Sequence, residues 1–136
     1  MDRVFIDTSA WVALFLKNDE HHKKATILYE RLKASKAALH TSDYVVDETI
    51  THLLHRGGHR LAVSAGEALF SSGIVAVAHI DDDLIQNAWK LFKKYDDKSF
   101  SFTDVTSFVL AKELGIKKAF AFDDDFKKAG METIGI

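Results

Sequence analysis

Short apolar runs alternate along this chain with longer segments whose apolar residues recur at helical spacing, and that alternation narrows its fold more than any other feature. Val4-Phe5-Ile6 reads as a short buried strand and Ala37-Ala38-Leu39-His40 as a weak one. Ile74-Val75-Ala76-Val77-Ala78 is the clearest strand, and Ala119 to Phe122 and Glu132 to Ile134 form a closing pair. Between the first two strands, Ser9 caps a helix carrying Trp11, Val12, Leu14, Phe15 and Leu16, and a second helix runs from about His21 to Ala34. Ser42 or Asp43 caps a third, with the stripe Val46, Ile50, Leu53 and Leu54, which Gly57-Gly58 ends; a fourth covers His59 to Phe70. Further helices start at Asp81 to Asp83 and at Ser101 or Thr103, and a short one separates the last two strands. Strands alternating with helices predict an α/β fold: three layers, α/β/α, around a mainly parallel sheet of four to five strands. With 136 residues, 47% of them hydrophobic, and no linker, repeat or low-complexity stretch, residues 1–136 are expected to form one domain.

Four acids close or open these segments: Asp7 after the first strand, Glu48 in the third helix, Asp104 in the first turn of a later one, and Asp123 after Phe122. Carboxylates just past the carboxyl ends of parallel strands gather at the sheet edge where such folds bind ligands. Crowded carboxylates repel unless protonated or neutralised by a cation, and hard oxygen donors suit magnesium or manganese better than zinc. Sites of that kind commonly act on phosphates. The formal net charge of −2 excludes the strong basic excess of a nonspecific duplex binder. With no cysteine, disulfides and thiolate zinc sites are excluded. No signal peptide and no membrane span are read from the sequence, so a cytoplasmic location is expected.

The segments Phe5-Ile6-Asp7-Thr8-Ser9-Ala10-Trp11, Val46-Asp47-Glu48-Thr49, Phe102-Thr103-Asp104 and Phe122-Asp123-Asp124-Asp125-Phe126 resemble, in order and spacing, the PIN-domain nucleases, especially the VapC-type toxins of toxin–antitoxin pairs. The resemblance covers essentially the full chain. It implies a PIN-like fold and a metal-dependent endoribonuclease whose acidic set is Asp7, Glu48, Asp104 and Asp123. Asp7, Asp104 and Asp123 would be ligands of Mg2+ or Mn2+. It also implies an RNA substrate, an antitoxin partner and a homodimer. Family members often carry a hydroxyl residue two positions before the fourth acid, where this chain has Ala121.

Each acid also has a purely structural reading, since Asp7, Asp104 and Asp123 sit where helix caps are common and Glu48 could be a solvated helix residue. Capping explains any one of them but not the ordered match of all four. Ser9, Thr103, Asp125 and His52 are the auxiliary candidates. Glu48, His52 and His55 share one helix face at i, i+4 and i+7, which places His52 either on a solvated face or at the rim of the site. Arg56 and several lysines could contact phosphate, as weak candidates. Two rivals remain. One is a degenerate PIN domain that binds RNA or protein without cutting. The other is a receiver-type or aspartate-nucleophile phosphotransfer enzyme, which needs an acid beside the strand-end aspartate, where this chain has Thr8-Ser9.

Overall fold

The computed structural model describes residues 2–136. Five strands, β1 (Arg3–Ile6), β2 (Ala38–Ser42), β3 (Val75–Ala78), β4 (Lys118–Phe120) and β5 (Glu132–Ile134), form one sheet in the order β3-β2-β1-β4-β5. Every pairing is parallel, with Val4 opposite Leu39 on one side and Lys118 on the other. Seven helices connect them: α1 (Thr8–Phe15), α2 (His22–Ala34), α3 (Asp43–Gly57), α4 (His59–Phe70), α5 (Asp82–Lys94), α6 (Phe102–Glu113) and α7 (Asp125–Lys128). The chain steps outward from β1 through β2 to β3, then crosses back and steps the other way through β4 to β5. Right-handed crossovers taken in opposite directions put their helices on opposite faces of the sheet. This is the three-layer α/β/α arrangement expected, with the sheet parallel throughout.

Parallel strands covered on both faces must be apolar on both, and Val4, Phe5 and Ile6 are fully buried. On one face Phe5 stacks on Phe126 with ring centroids 6.0 Å apart, and Phe108 meets Phe126 edge-on at 5.0 Å. Elsewhere in the core Trp11 packs against Phe15 and Tyr29. Its indole Nε1 donates to Thr41 Oγ1, which donates in turn to the Ile6 carbonyl. That chain satisfies two buried polar side-chain groups between α1 and the sheet.

Three boundaries differ from expectation for identifiable reasons. The strand that is clearest in sequence is the edge strand: β3 starts at Val75, and Ile74 is 56% exposed. An apolar run reports burial propensity, not position in the sheet. β2 continues to Ser42, whose hydroxyl then accepts from Val45 N–H and starts α3 without a loop. β4 ends at Phe120 rather than Phe122, because Asp7 N–H takes the Phe120 carbonyl and the Phe122 N–H turns to the Ser9 hydroxyl.

The C-terminal strand braces this last segment. Ala121 N–H donates to the Ile134 carbonyl at 3.0 Å, and Gly135 follows at φ +121°, pressed against the Ala121 backbone. A β-carbon there would run into the Ala121 carbonyl oxygen. Gly135→Ala therefore combines backbone strain with a backbone clash and is expected to cost about 2 kcal/mol or more. Thermal denaturation of the variant checks this; an unchanged melting temperature would mean the C-terminus does not hold β4 in place.

Candidate active site

The strand order reverses at β1, so the carboxyl ends of β1 and β4 open a crevice at the point where α/β sheets bind ligands. Asp7 is the first residue past β1. It serves as N-cap of α1 and accepts from both the Ser9 N–H (3.3 Å) and the Ser9 hydroxyl (2.9 Å). The same hydroxyl accepts from Phe122 N–H at 2.9 Å, so Ser9 fastens the segment before Asp123 to the segment after Asp7. Asp104 arrives from α6 through a capping box: its N–H donates to Ser101 Oγ (3.0 Å) and its carboxylate accepts from Ser101 N–H (3.1 Å). Glu48 is the sixth residue of α3, and Asp123 orients Asp125 by accepting its N–H at 3.1 Å. Asp7, Glu48, Asp104, Asp123 and Asp125 all line one cavity of about 380 Å³, together with Thr8, Ser9, Asp19, His21, His52, Arg56 and Phe122.

Burial and mutual repulsion set the electrostatics. Asp7 is 2% exposed, and loss of hydration, followed by the charges of Asp123 and Asp104, pushes its carboxyl up to about 8 despite the two bonds from Ser9. Burial, opposed by the Ser101 N–H and reinforced by Asp125, Asp123 and Glu48, lifts Asp104 to about 6. Asp125 is raised too, first by burial and then by Asp123 and Asp124. The cavity thus holds more carboxylates than it can comfortably ionise at neutral pH.

The acids of the cavity offer only oxygen donors, with the imidazoles of His21 and His52 also on its wall, and the buried Thr8 Oγ1 beside them has no hydrogen-bond partner. Both features fit a hydrated hard cation, whose bound water could serve that hydroxyl. Among the described residues no three acid or imidazole side chains converge into a ready-made cage. A magnesium-like ion that keeps several waters needs only one or two direct carboxylates.

The structure brings all four expected acids to one cavity, with Ser9, Asp125 and His52 among its lining residues. Thr103 is not among them: its carbonyl accepts from the hydroxyls of Thr106 and Ser107, and the capping of α6 belongs to Ser101. Ser9, expected to cap α1, is the second residue of that helix, and the cap is Asp7 itself. Of the three consecutive aspartates, Asp124 faces outward to Lys128 at 3.3 Å, while Asp123 and Asp125 face the cavity. The α3 stripe facing the site is Glu48, His52, Arg56, not Glu48, His52, His55. No hydrogen bond or ion pair joins His52 to Glu48 among the described residues. Asp19 and His21 enter the site with the α1–α2 connection, which no local pattern announces, and Phe122 enters with the segment after β4 that the Ser9 hydroxyl holds.

The PIN domain family model matches residues 4–131. The chain is 43% identical over 132 residues, 96% of its own length and 97% of the relative's, to the 23S rRNA-specific endonuclease VapC20 of Mycobacterium tuberculosis. It is 29% identical to a VapC ribonuclease of Archaeoglobus fulgidus, covering 96% of this chain and 81% of that one. The crystal structure of Mycobacterium tuberculosis VapC20, a sarcin–ricin loop cleaving toxin, superimposes with a TM-score of 0.86 at 40% identity, covering 98% of each chain. The VapBC-1 structure from nontypeable Haemophilus influenzae shares the fold at a TM-score of 0.67 and 17% identity, over 97% of this chain and 96% of that one. By strand order, by the acids at its switch point and by these likenesses, the chain belongs to the PIN-domain family and, within it, to the VapC type.

Proposed function

We propose that this protein is a divalent-cation-dependent endoribonuclease, the toxin of a toxin–antitoxin pair, cutting RNA phosphodiester bonds in the 380 Å³ cavity. The observation that carries the reading is Asp7: a buried carboxylate pushed up to about 8 by burial and by neighbouring acids, in a cavity that Glu48, Asp104, Asp123 and Asp125 also line. Asp7, Asp104 and Asp123 would hold Mg2+ or Mn2+. A cation there lowers the pKa of water to supply a nucleophile near neutral pH and offsets charge on the phosphoryl oxygens.

The chain's own residues do the rest. Ser9 holds the Asp7 carboxylate in one orientation and ties it to the Asp123 segment, while Ser101 does the same for Asp104. Glu48, half-buried on α3 with no hydrogen bond recorded to it, is free to orient water or accept its proton. Val12 and Phe122 line the cavity with apolar surface that restricts water and strengthens these interactions. The likeness to VapC20 makes the sarcin–ricin loop of 23S rRNA the first target to try, and an RNA loop presents phosphates and bases that a cleft this size can reach. An antitoxin, a second copy of the chain and a cytoplasmic setting complete the proposal; no helix among the described residues is long and apolar enough to cross a membrane.

Three results are expected. Cleavage of a sarcin–ricin loop RNA needs Mg2+ or Mn2+ and stops in EDTA; undiminished cleavage in EDTA would exclude the metal reading. Among the consecutive aspartates, Asp123→Asn is expected to slow cleavage about a hundredfold or more, Asp125→Asn less, and Asp124→Asn hardly at all, since only Asp124 faces solvent. A damaging Asp124→Asn would mean the segment after β4 is oriented differently.

The third concerns stability. Because the Asp7 carboxyl is raised from 3.8 to about 8, the native state holds a proton that the unfolded chain releases between those values. Its contribution to stability is therefore full below about pH 4 and lost as pH rises toward 8. Asparagine caps helices as well as aspartate, so Asp7→Asn should melt higher than wild type in EDTA at pH 8, by roughly 5 °C or more, with the gap closing at pH 5. Mn2+ should raise the wild-type melting temperature more at pH 8 than at pH 5 and leave Asp7→Asn nearly unmoved. Equal responses of the two proteins to Mn2+ would remove Asp7 from the cation site.

A further inference from the structure

At the wall of the cavity, the connection between α1 and α2 and the carboxyl-terminal end of α3 meet through one carboxylate. Asp19 has a side chain only 12% exposed; its Oδ1 accepts from His21 N–H at 2.9 Å and its Oδ2 from Arg56 Nη1 at 3.0 Å. A second anchor lies at the ring of His21, which stacks face to face on Phe122 with centroids 4.5 Å apart and planes 4° from parallel. Phe122 is itself fixed, by its N–H on the Ser9 hydroxyl and by the Phe120 ring at 5.7 Å. His21, Phe122 and Arg56 all line the cavity, yet 41% of the His21 side chain and 47% of the Arg56 side chain stay exposed.

A parallel stack uses one face of each ring, and the exposed His21 surface leaves a planar platform beside the acids. Asp19 occupies one terminal nitrogen of Arg56 and leaves the other guanidinium donors unspent. A fixed cation and a preorganised π-surface next to a phosphate-cutting cavity match the two parts of an unstacked nucleotide, its anionic phosphate and its base. Resting on the ribonuclease reading of the same cavity, we propose that His21, Phe122 and Arg56 form a nucleotide-binding subsite flanking the scissile phosphate: the base stacks on the His21–Phe122 pair and the adjacent phosphate bonds Arg56. Asp19 is the positioning residue, since it sets both the His21 backbone and the guanidinium.

The test uses the full chain and a sarcin–ricin loop RNA hairpin carrying 2-aminopurine at successive loop positions, a base whose fluorescence is quenched on stacking. Binding is followed in EDTA and cleavage in Mn2+, for wild type, His21→Ala, His21→Phe and Arg56→Ala. The expected result is quenching at one loop position with wild type and His21→Phe. His21→Ala should lose that quenching and bind about tenfold or more weakly. In Mn2+, His21→Ala and Arg56→Ala should raise KM while kcat stays within about twofold, a split that mere loosening of the fold would not give. The planar His21→Phe variant guards against a folding artefact, because it restores the stack without the imidazole. Wild-type quenching and KM in His21→Ala, or no RNA binding by wild type, would overturn the subsite. Binding and quenching as expected without cleavage by wild type would leave the subsite standing and remove the enzyme reading; cleavage by wild type with KM indifferent to His21 and Arg56 would do the reverse.

Discussion

Asp7 is buried at the carboxyl end of the central strand, with Ser9 as the hydrogen-bond partner of its carboxylate and other carboxylates close enough to hold its proton on. The surrounding structure is arranged around that unfavourable placement. β1 has neighbours on both sides, so whatever follows it is covered by the helices that return from β2 and β4. A polar group at that point must either be paired within the protein or meet a ligand. Ser9 supplies one answer in part, and the remaining capacity of the carboxylate opens into the cavity.

Helix ends soften the same problem. Asp7 caps α1 and Asp104 sits in the first turn of α6, where backbone N–H groups and the helix dipole favour negative charge. Capping and site membership are thus the same fact seen from two sides, since the hydrogen bonds that start each helix also aim its carboxylate. The stabilisation is on the order of 1 kcal/mol per cap, well short of what burial and the charges of Asp123 and Asp104 cost the ionised Asp7 carboxylate, which they push up to about 8. The shortfall is what a divalent cation would relieve.

How much of this is legible from residues alone depends on whether the interaction is local. The strand–helix alternation and the parallel sheet follow from the apolar runs, and the structure agrees on both; the set Asp7, Glu48, Asp104 and Asp123 follows from the resemblance to PIN-domain nucleases, and all four line one cavity. The edge position of β3 does not follow, because Val75 and Val77 look the same in any parallel strand. The separation of Asp124 from Asp125 needs the bend after β4, which the Ser9 hydroxyl imposes from 113 residues away. Asp19, His21 and Arg56 are readable only as ordinary surface residues, since their association rests on a connection folding back over α3. Thr103, a candidate for support beside Asp104 or for capping, does not line the cavity, and the cap of α6 is Ser101.

The central claim is that a divalent cation replaces a proton within the acidic cluster, and calorimetric titration with Mn2+ at pH 7 in two buffers of different ionisation enthalpy tests it most directly. With the Asp7 carboxyl at about 8 and Asp104 at about 6, Asp7 is mostly protonated at that pH and Asp104 mostly ionised. The account predicts release of about one proton per cation bound. Binding with no buffer dependence, or no binding at all, would contradict it.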